Sequence, residues 1–297
     1  KIKEINSGMY CFTIKHLLEA LDEIESSNSQ GEYYLTDAIE ILVGKGYKAA
    51  AYKIDDPDEI MGVNDRVQLA EAARILNARI LKGFMLKGVT IINPDSTYID
   101  EAAEIGMDTV IYPGTVIEGQ TVIGEDCVIG PNSRIVNSSL GSSVEVNSSV
   151  VLESSVGDNT KIGPYAYIRP GSSIGKNIKI GDFVEIKNST IGDYSKIPHL
   201  AYVGDTVMGR NVNFGCGSIT ANYDGKRKYV TNIGDNVAVG SNVNLVAPVT
   251  IRDNSYIAAG STITQEVSEY SLALARSRQI IKENWVIKKG MQREEKK

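Results

Sequence analysis

Aliphatic residues recur every six positions at Ile105, Ile111, Ile117, Ile123, Ile129 and Ile135. The rhythm shifts at Leu140 and Val146 and resumes at Val156, Ile162, Ile168, Ile174, Ile180 and Ile186. It continues through Ile191, Ile197, Val203, Met208 and Phe214, then returns as Ile233, Val239, Leu245, Ile251, Ile257 and Ile263. A six-residue period fits neither a 3.6-residue helix nor a two-sided strand. It fits a solenoid in which each side is a short strand and a corner, with the aliphatic inward and Gly, Asn or Asp at the bend. Three sides close a coil of about 18 residues. About eight coils stacked as parallel strands ~4.8 Å apart would make a prism on the order of 40 Å long. The predicted fold class is therefore mainly β, a parallel β-helix over 83–267. An antiparallel sandwich would instead show hairpin turns every 8–12 residues or so.

The rhythm fails between Phe214 and Ile233. There Asn222-Tyr223-Asp224-Gly225 is a turn signal followed by Lys226, Arg227 and Lys228. Three positive charges on an excursion from an acidic chain (net charge −6) mark it as a functional arm rather than a neutral insertion.

Ahead of the solenoid, helical patterns at Ile14–Ile24 and Leu35–Val43 alternate with strand candidates such as Ala49–Lys53. They predict a partial α/β unit over 1–64. Neither GxGxxG nor GxxxxGK[ST] occurs there, so it cannot be a complete nucleotide-binding domain. Leu69, Ala73, Leu76 and Ile80 share one face, predicting a linker helix over 65–82. Residues 268–297 read as an arm, with a helical or extended stretch at Tyr270–Trp285 and a disordered MQREEKK tail. The start at Lys1, without Met, reads as a cut end.

The acidic balance argues against a nucleic-acid partner, which needs a basic footprint. No apolar run approaches the ~18 residues of a membrane span. Three distant cysteines, Cys11, Cys127 and Cys216, match neither a disulfide framework nor a metal motif. Reduced thiols suit a cytoplasmic protein. Two histidines in the chain, His16 and His199, exclude a histidine-rich metal centre.

His199 is the only histidine of the solenoid, and imidazole has the unperturbed pKa of a general base near neutrality. A lone histidine is more often structural than catalytic, and spacing alone leaves that open. Arg169 and Lys187 lie one coil apart and should stack on one side, a clamp for a phosphorylated ligand or a pair of solvated cations.

Five stretches carry a resemblance: IRPGS at 168–172, VEIKNS at 184–189, HLAYVGD at 199–205, NVNFGCGSITANYDG at 211–225 and LVAPVTI at 245–251. With EINSG at 4–8, QGEYYLTD at 30–37 and GVNDR at 62–66, the chain resembles the bacterial bifunctional UDP-N-acetylglucosamine pyrophosphorylases and glucosamine-1-phosphate N-acetyltransferases along essentially its whole length. The resemblance implies left-handed coils, a homotrimer with sites between subunits, and acetyl transfer from acetyl-CoA to glucosamine 1-phosphate for UDP-N-acetylglucosamine synthesis. It makes His199 the catalytic base. Arg169, Lys187, Tyr202, Asn213, Asn222 and Tyr223 would hold the acceptor. The backbone N–H near Cys216, with Lys228, Ser241, Ala259 and Arg276, would serve acetyl-CoA. Arg276, placed beyond the last coil, would reach a neighbouring subunit. Glu185 would orient the amine or pair with a cation.

The family's glycine-rich nucleotide-binding half has no counterpart in this sequence. The uridyltransferase reaction is therefore expected to be absent, and Asn6 (sugar nucleotide) and Asn64 (Mg2+ and UDP-sugar) idle. A Cys216 nucleophile is disfavoured because direct attack by the amine needs no covalent intermediate. Three rival functions make different demands on the sequence. A γ-class carbonic anhydrase would need three histidines on zinc. A solenoid serving only as an assembly module predicts neither base nor cationic pair. Against another acyltransferase, such as a serine O-acetyltransferase or a lipid A acyltransferase, the Arg169/Lys187 pair favours a phosphorylated acceptor, and only the motif match identifies it as glucosamine 1-phosphate.

Overall fold

The computed structural model describes residues 4–27 and 29–293. Both Lys1 and the last four residues of the MQREEKK tail lie outside them. The chain divides into two compact units, Lys1–Ile75 and Leu76–Lys297.

In the first unit, helices Ile14–Leu21 and Asp37–Gly44 meet around Ala20, Ala38 and Leu42, with Phe12, Leu17, Ile24 and Ile41 against them. Among its described residues there is no β-strand, so the strand candidate at Ala49–Lys53 does not form. Ala49–Lys53 is exposed and has no neighbouring strand to complete its hydrogen bonding.

The helix expected over Asp65–Leu81 runs from Arg66 to Leu86. It starts at a reciprocal cap, in which Asp65 Oδ1 accepts from the Gln68 amide (2.8 Å) and Gln68 Oε1 from the Asn64 amide (2.6 Å). Its last turns bury Leu81 and Phe84 in the solenoid core, so apolar side chains close the open end of the prism.

The second unit is a parallel β-solenoid of about ten coils. Glu104–Ile105 to Val249–Ile251 build one side as a nine-stranded sheet. The other two sides merge into a 19-stranded sheet, because Lys179–Lys187 and Lys196–Gly204 run unbroken around a corner. Two more coils form than the hexapeptide rhythm announces. Thr90–Ile91 and Tyr98–Ile99 add a first coil, and Leu272–Ala273 pairs with Tyr256–Ile257 beyond Ile263.

Ile111, Ile129, Val146, Ile162, Ile180, Ile197 and Phe214 stack one above another with no more than 2% exposure, and corresponding rows line the other sides. The buried Thr160 hydroxyl is satisfied within the stack: it donates to the Gly175 carbonyl (2.9 Å) and accepts the Ile178 amide (3.2 Å). The expected break at 215–232 shrinks to about Asn222–Val230. Ile219–Ala221 is a regular rung whose inward residue is Thr220, a hydroxyl bonded to Gly204, which hid it from an aliphatic count.

Corners are tight enough to exclude side chains at set places. A Cβ on Gly181 would lie 1.8 Å from the Pro198 carbonyl oxygen, so only glycine lets the two long strands approach there.

Ile186→Ala, deep in the stack, should cost about 2–5 kcal/mol by cavity formation. Val122→Ala, on the outside of its strand, should change stability by about 0.5 kcal/mol or less. Urea unfolding of both variants measures the difference.

Candidate functional site

The long strand Lys196–Gly204 carries His199 at its bend and Tyr202 beyond it. Asp182 sits opposite His199 one coil earlier, and its Oδ1 lies 2.6 Å from His199 Nδ1. That hydrogen bond holds the Asp182 carboxyl below the usual carboxylate range. With Nδ1–H committed to an anion, Nε2 is the ring's accepting nitrogen. Both side chains are about half exposed (54% and 41%), so the imidazole faces solvent rather than core.

Beyond the bend, Tyr167, Glu185 and Tyr202 stand in register on successive rungs. Arg169 and Lys187 occupy the same position one coil apart, with the Arg169 amide donating to the Ile186 carbonyl (2.8 Å). Each cation has its own acid. Arg169 Nη1 reaches Glu185 Oε1 at 2.7 Å, and Lys187 Nζ reaches Asp205 Oδ2 at 3.2 Å.

The second pair is the more buried, with side chains only 17% and 9% exposed. Burial works against the Lys187 ammonium, but hydrogen bonding to Lys228 and Asp205, with the carboxylate's charge, leaves its pKa raised. Burial likewise pushes Asp205 up, yet hydrogen bonds from Asn188 and Lys187 and the lysine charge bring it below the ordinary value. Lys228, arriving on the loop, is lowered chiefly by its hydrogen bond with Lys187 and that ammonium's charge. Asn222 Nδ2 donates to Asp205 (2.5 Å) and sits 3.5 Å from the Tyr202 hydroxyl.

The loop is a small hairpin. Tyr223 and Lys228 form an antiparallel bridge, and Asp224 Oδ1 accepts the Lys226 and Arg227 amides (2.7 Å each).

The residues expected to hold acetyl-CoA follow one corner of the prism upward from His199. The Gly217 amide donates to the Leu200 carbonyl, Asn242 to Cys216, and Gly260 to Ser241, at 2.8–2.9 Å. Cys216, Ser241 and Ala259 therefore occupy consecutive coils of a single edge. Arg276 comes next: its Cδ lies 3.9 Å from where a Cβ on Gly260 would be. Its placement beyond the last coil is corrected, since Leu272–Ala273 forms a further rung and Arg276 follows at its corner.

Asn213 lies on the adjoining side, in register with Lys196 and Ala238, around the bend from Tyr202. Asn6 and Asn64 belong to the first unit. Asn6 bonds Tyr10, and the Asn64 amide donates to Gln68. A cavity of about 360 Å³ at the helix end, lined by Leu76, Ile80, Phe84, Lys87, Glu101 and Ala103, holds none of the candidate residues.

Sequence reasoning missed Asp182, Asp205 and Asn188. Asp205 stands 18 residues from Lys187, the spacing that paired Arg169 with Lys187, whereas Asp182 stands 17 from His199 and Asn188 17 from Asp205, so a count of 18 passes them by.

The family model "Bacterial transferase hexapeptide (six repeats)" matches residues 102–137, 153–188 and 231–265. A bifunctional protein GlmU of Acetivibrio thermocellus is 67% identical over 295 residues, 99% of this chain and 64% of that protein. One from Clostridium kluyveri is 57% identical over 293 residues, again 99% and 64%. The chain thus spans about 64% of the length of the curated relatives it matches. A UDP-N-acetylglucosamine O-acyltransferase from Moraxella catarrhalis shares 21% identity at a TM-score of 0.31, covering 62% of this chain and 68% of that one, a likeness too loose to bear on the site. Repeat, coil register and near-full-length identity agree: the chain is similar to the bifunctional GlmU proteins along 99% of its own length and carries bacterial transferase hexapeptide repeats.

Proposed function

We propose that the solenoid transfers the acetyl group of acetyl-CoA to the amine of glucosamine 1-phosphate, giving N-acetylglucosamine 1-phosphate and free CoA. The observation that carries this reading is the Asp182–His199 pair across two successive coils, with His199 on the same long strand as Tyr202, three residues before it and on the other side of the bend. The Arg169 and Lys187 cations stand on the rungs beside Tyr202. A base at one end and a cationic clamp at the other suit an amino sugar bearing a phosphate.

An ammonium has no lone pair, so the acceptor first loses its extra proton to solvent and attacks the thioester carbonyl as the free amine, which must shed a second proton as the C–N bond forms. His199 Nε2 takes that proton while Asp182 holds the ring through Nδ1. The carbonyl oxygen gains negative charge as the C–N bond forms, and the backbone N–H near Cys216 is the assigned donor to it. Collapse of the tetrahedral intermediate breaks the C–S bond, and the imidazolium returns its proton to the departing thiolate. The edge formed by Cys216, Ser241, Ala259 and Arg276 offers a long coenzyme a continuous track that starts at His199.

Arg169, Lys187 and Lys228 receive the phosphate, with Asn222, Tyr223 and Tyr202 around the sugar. Asn213, around the bend, fits a site completed between subunits of a cytoplasmic homotrimer. No step runs through magnesium. Asn64 offers a single neutral oxygen, and among the described residues no group of three or more His, Cys, Asp or Glu is placed to hold an ion.

Thiol release from acetyl-CoA in the presence of glucosamine 1-phosphate tests the reading. Turnover dependent on both substrates is expected, and a folded sample without it would refute acetyl transfer. His199→Ala should lower kcat about 100- to 10,000-fold with the melting temperature unchanged. Asp182→Ala, which frees the ring, should lower it about 10- to 100-fold. Arg169→Ala should act mainly on the KM for the acceptor, raising it about tenfold or more.

A further inference from the structure

Asp205 is only 8% exposed, and its carboxylate accepts from three side chains: Asn222 Nδ2 (2.5 Å), Asn188 Nδ2 (2.7 Å) and Lys187 Nζ (3.2 Å). Its backbone is equally engaged. The amide donates to the Lys187 carbonyl (2.9 Å), and the carbonyl accepts the Thr231 amide (3.2 Å). Asn222 and Thr231 bracket the excursion, between the rungs Ile219–Ala221 and Thr231–Ile233. A single residue therefore ties both ends of the charged loop together and fastens them to Lys187.

The chemistry of the partners explains why a carboxylate stands there. All three side chains donate, and only a group that accepts at both oxygens satisfies them together. An amide of the same shape would turn a donor toward one of them, leaving buried donors facing each other.

We propose that Asp205 is a positioning residue that clasps the 222–230 loop to Lys187, so that Tyr223 and Lys228 stand at the phosphate end of the acceptor site. The inference rests on the acetyl-transfer reading for its ligand and on the hydrogen-bond geometry for its mechanics. Lys187 is held in place from the next coil by Asp205, and Lys228 on the loop stands near enough to Lys187 for each ammonium to act on the other. Loss of the clasp would separate the two lysines without touching the Asp182–His199 pair.

The test is Asp205→Asn in the full chain, read in two ways. In steady-state CoA release, the KM for glucosamine 1-phosphate should rise about tenfold or more. Its kcat should stay within about threefold, and kcat/KM for unphosphorylated glucosamine within about twofold. The preference for the phosphorylated acceptor then falls about tenfold, which general destabilisation would not produce because it lowers both activities alike. In limited trypsin digestion followed by mass spectrometry, cleavage after Lys226, Arg227 and Lys228 should quicken about fivefold or more.

Asn188→Ala, which keeps the carboxylate but removes one donor, should shift both readouts in the same direction by about two- to fivefold. It carries the test if Asp205→Asn fails to fold. An unchanged acceptor preference or an unchanged loop cleavage rate overturns the proposal. Wild-type protein that releases no CoA with either acceptor would overturn the acetyl-transfer reading instead, and the digestion then decides the clasp by itself.

Discussion

The structure depends on parallel backbone hydrogen bonding from one coil to the next. Each rung donates to the one above at about the interstrand spacing, so a side chain's position is set by the residue one coil away. Asp182 meets His199, Glu185 stands under Tyr202, and Arg169 under Lys187, because Ile180 and Ile186 are locked against Ile197 and Val203. The inward aliphatic column supplies the stability of this ladder, and the outward positions are left free to carry chemistry. A one-residue slip would turn the column outward and scatter every functional pair.

Two kinds of polar contact decorate that ladder, and their environments give them different weight. Arg134–Glu118, Lys161–Glu145 and Arg252–Glu266 are exposed pairs at 2.5–2.6 Å, screened by water and worth little to stability. Lys187 and Asp205 are largely withdrawn from solvent, where an ion pair is balanced between desolvation and attraction and holds only because Asn188 and Asn222 complete it. Such an arrangement is a poor source of net stability and a good source of fixed geometry. That suits a place where a loop must meet a cation.

The site lies on an open face and a corner of the prism, away from the cavity at its helix end. Bulky Tyr165, Phe183 and Leu200 adopt left-handed backbone angles (φ 60°, 56° and 44°) on consecutive coils of that corner, where Asn and Gly stand elsewhere. The ring faces of Tyr165 and Phe183 stack 5.6 Å apart and stay exposed. This apolar strip runs up to Leu200, the residue after His199.

Hexapeptide spacing determined the solenoid, because a six-residue alternation of inward aliphatic and tight corner has one economical solution, and it determined that Arg169 and Lys187 would stack. It also marked where the loop leaves. It could not count the first and last coils or the Thr220 rung, where a threonine hydroxyl or an irregular turn replaces the aliphatic. It also misread Ala49–Lys53, since strand propensity without a partner strand makes no sheet. The roles given to Ser241, Ala259 and Arg276 came from motif likeness, and only the fold put them on one edge. Asp182 and Asp205 were invisible as functional residues because a carboxylate's meaning lies in its neighbours. Those neighbours, His199 at 2.6 Å and Lys187 at 3.2 Å, are 17 and 18 residues away in the chain and become adjacent only when the coils stack.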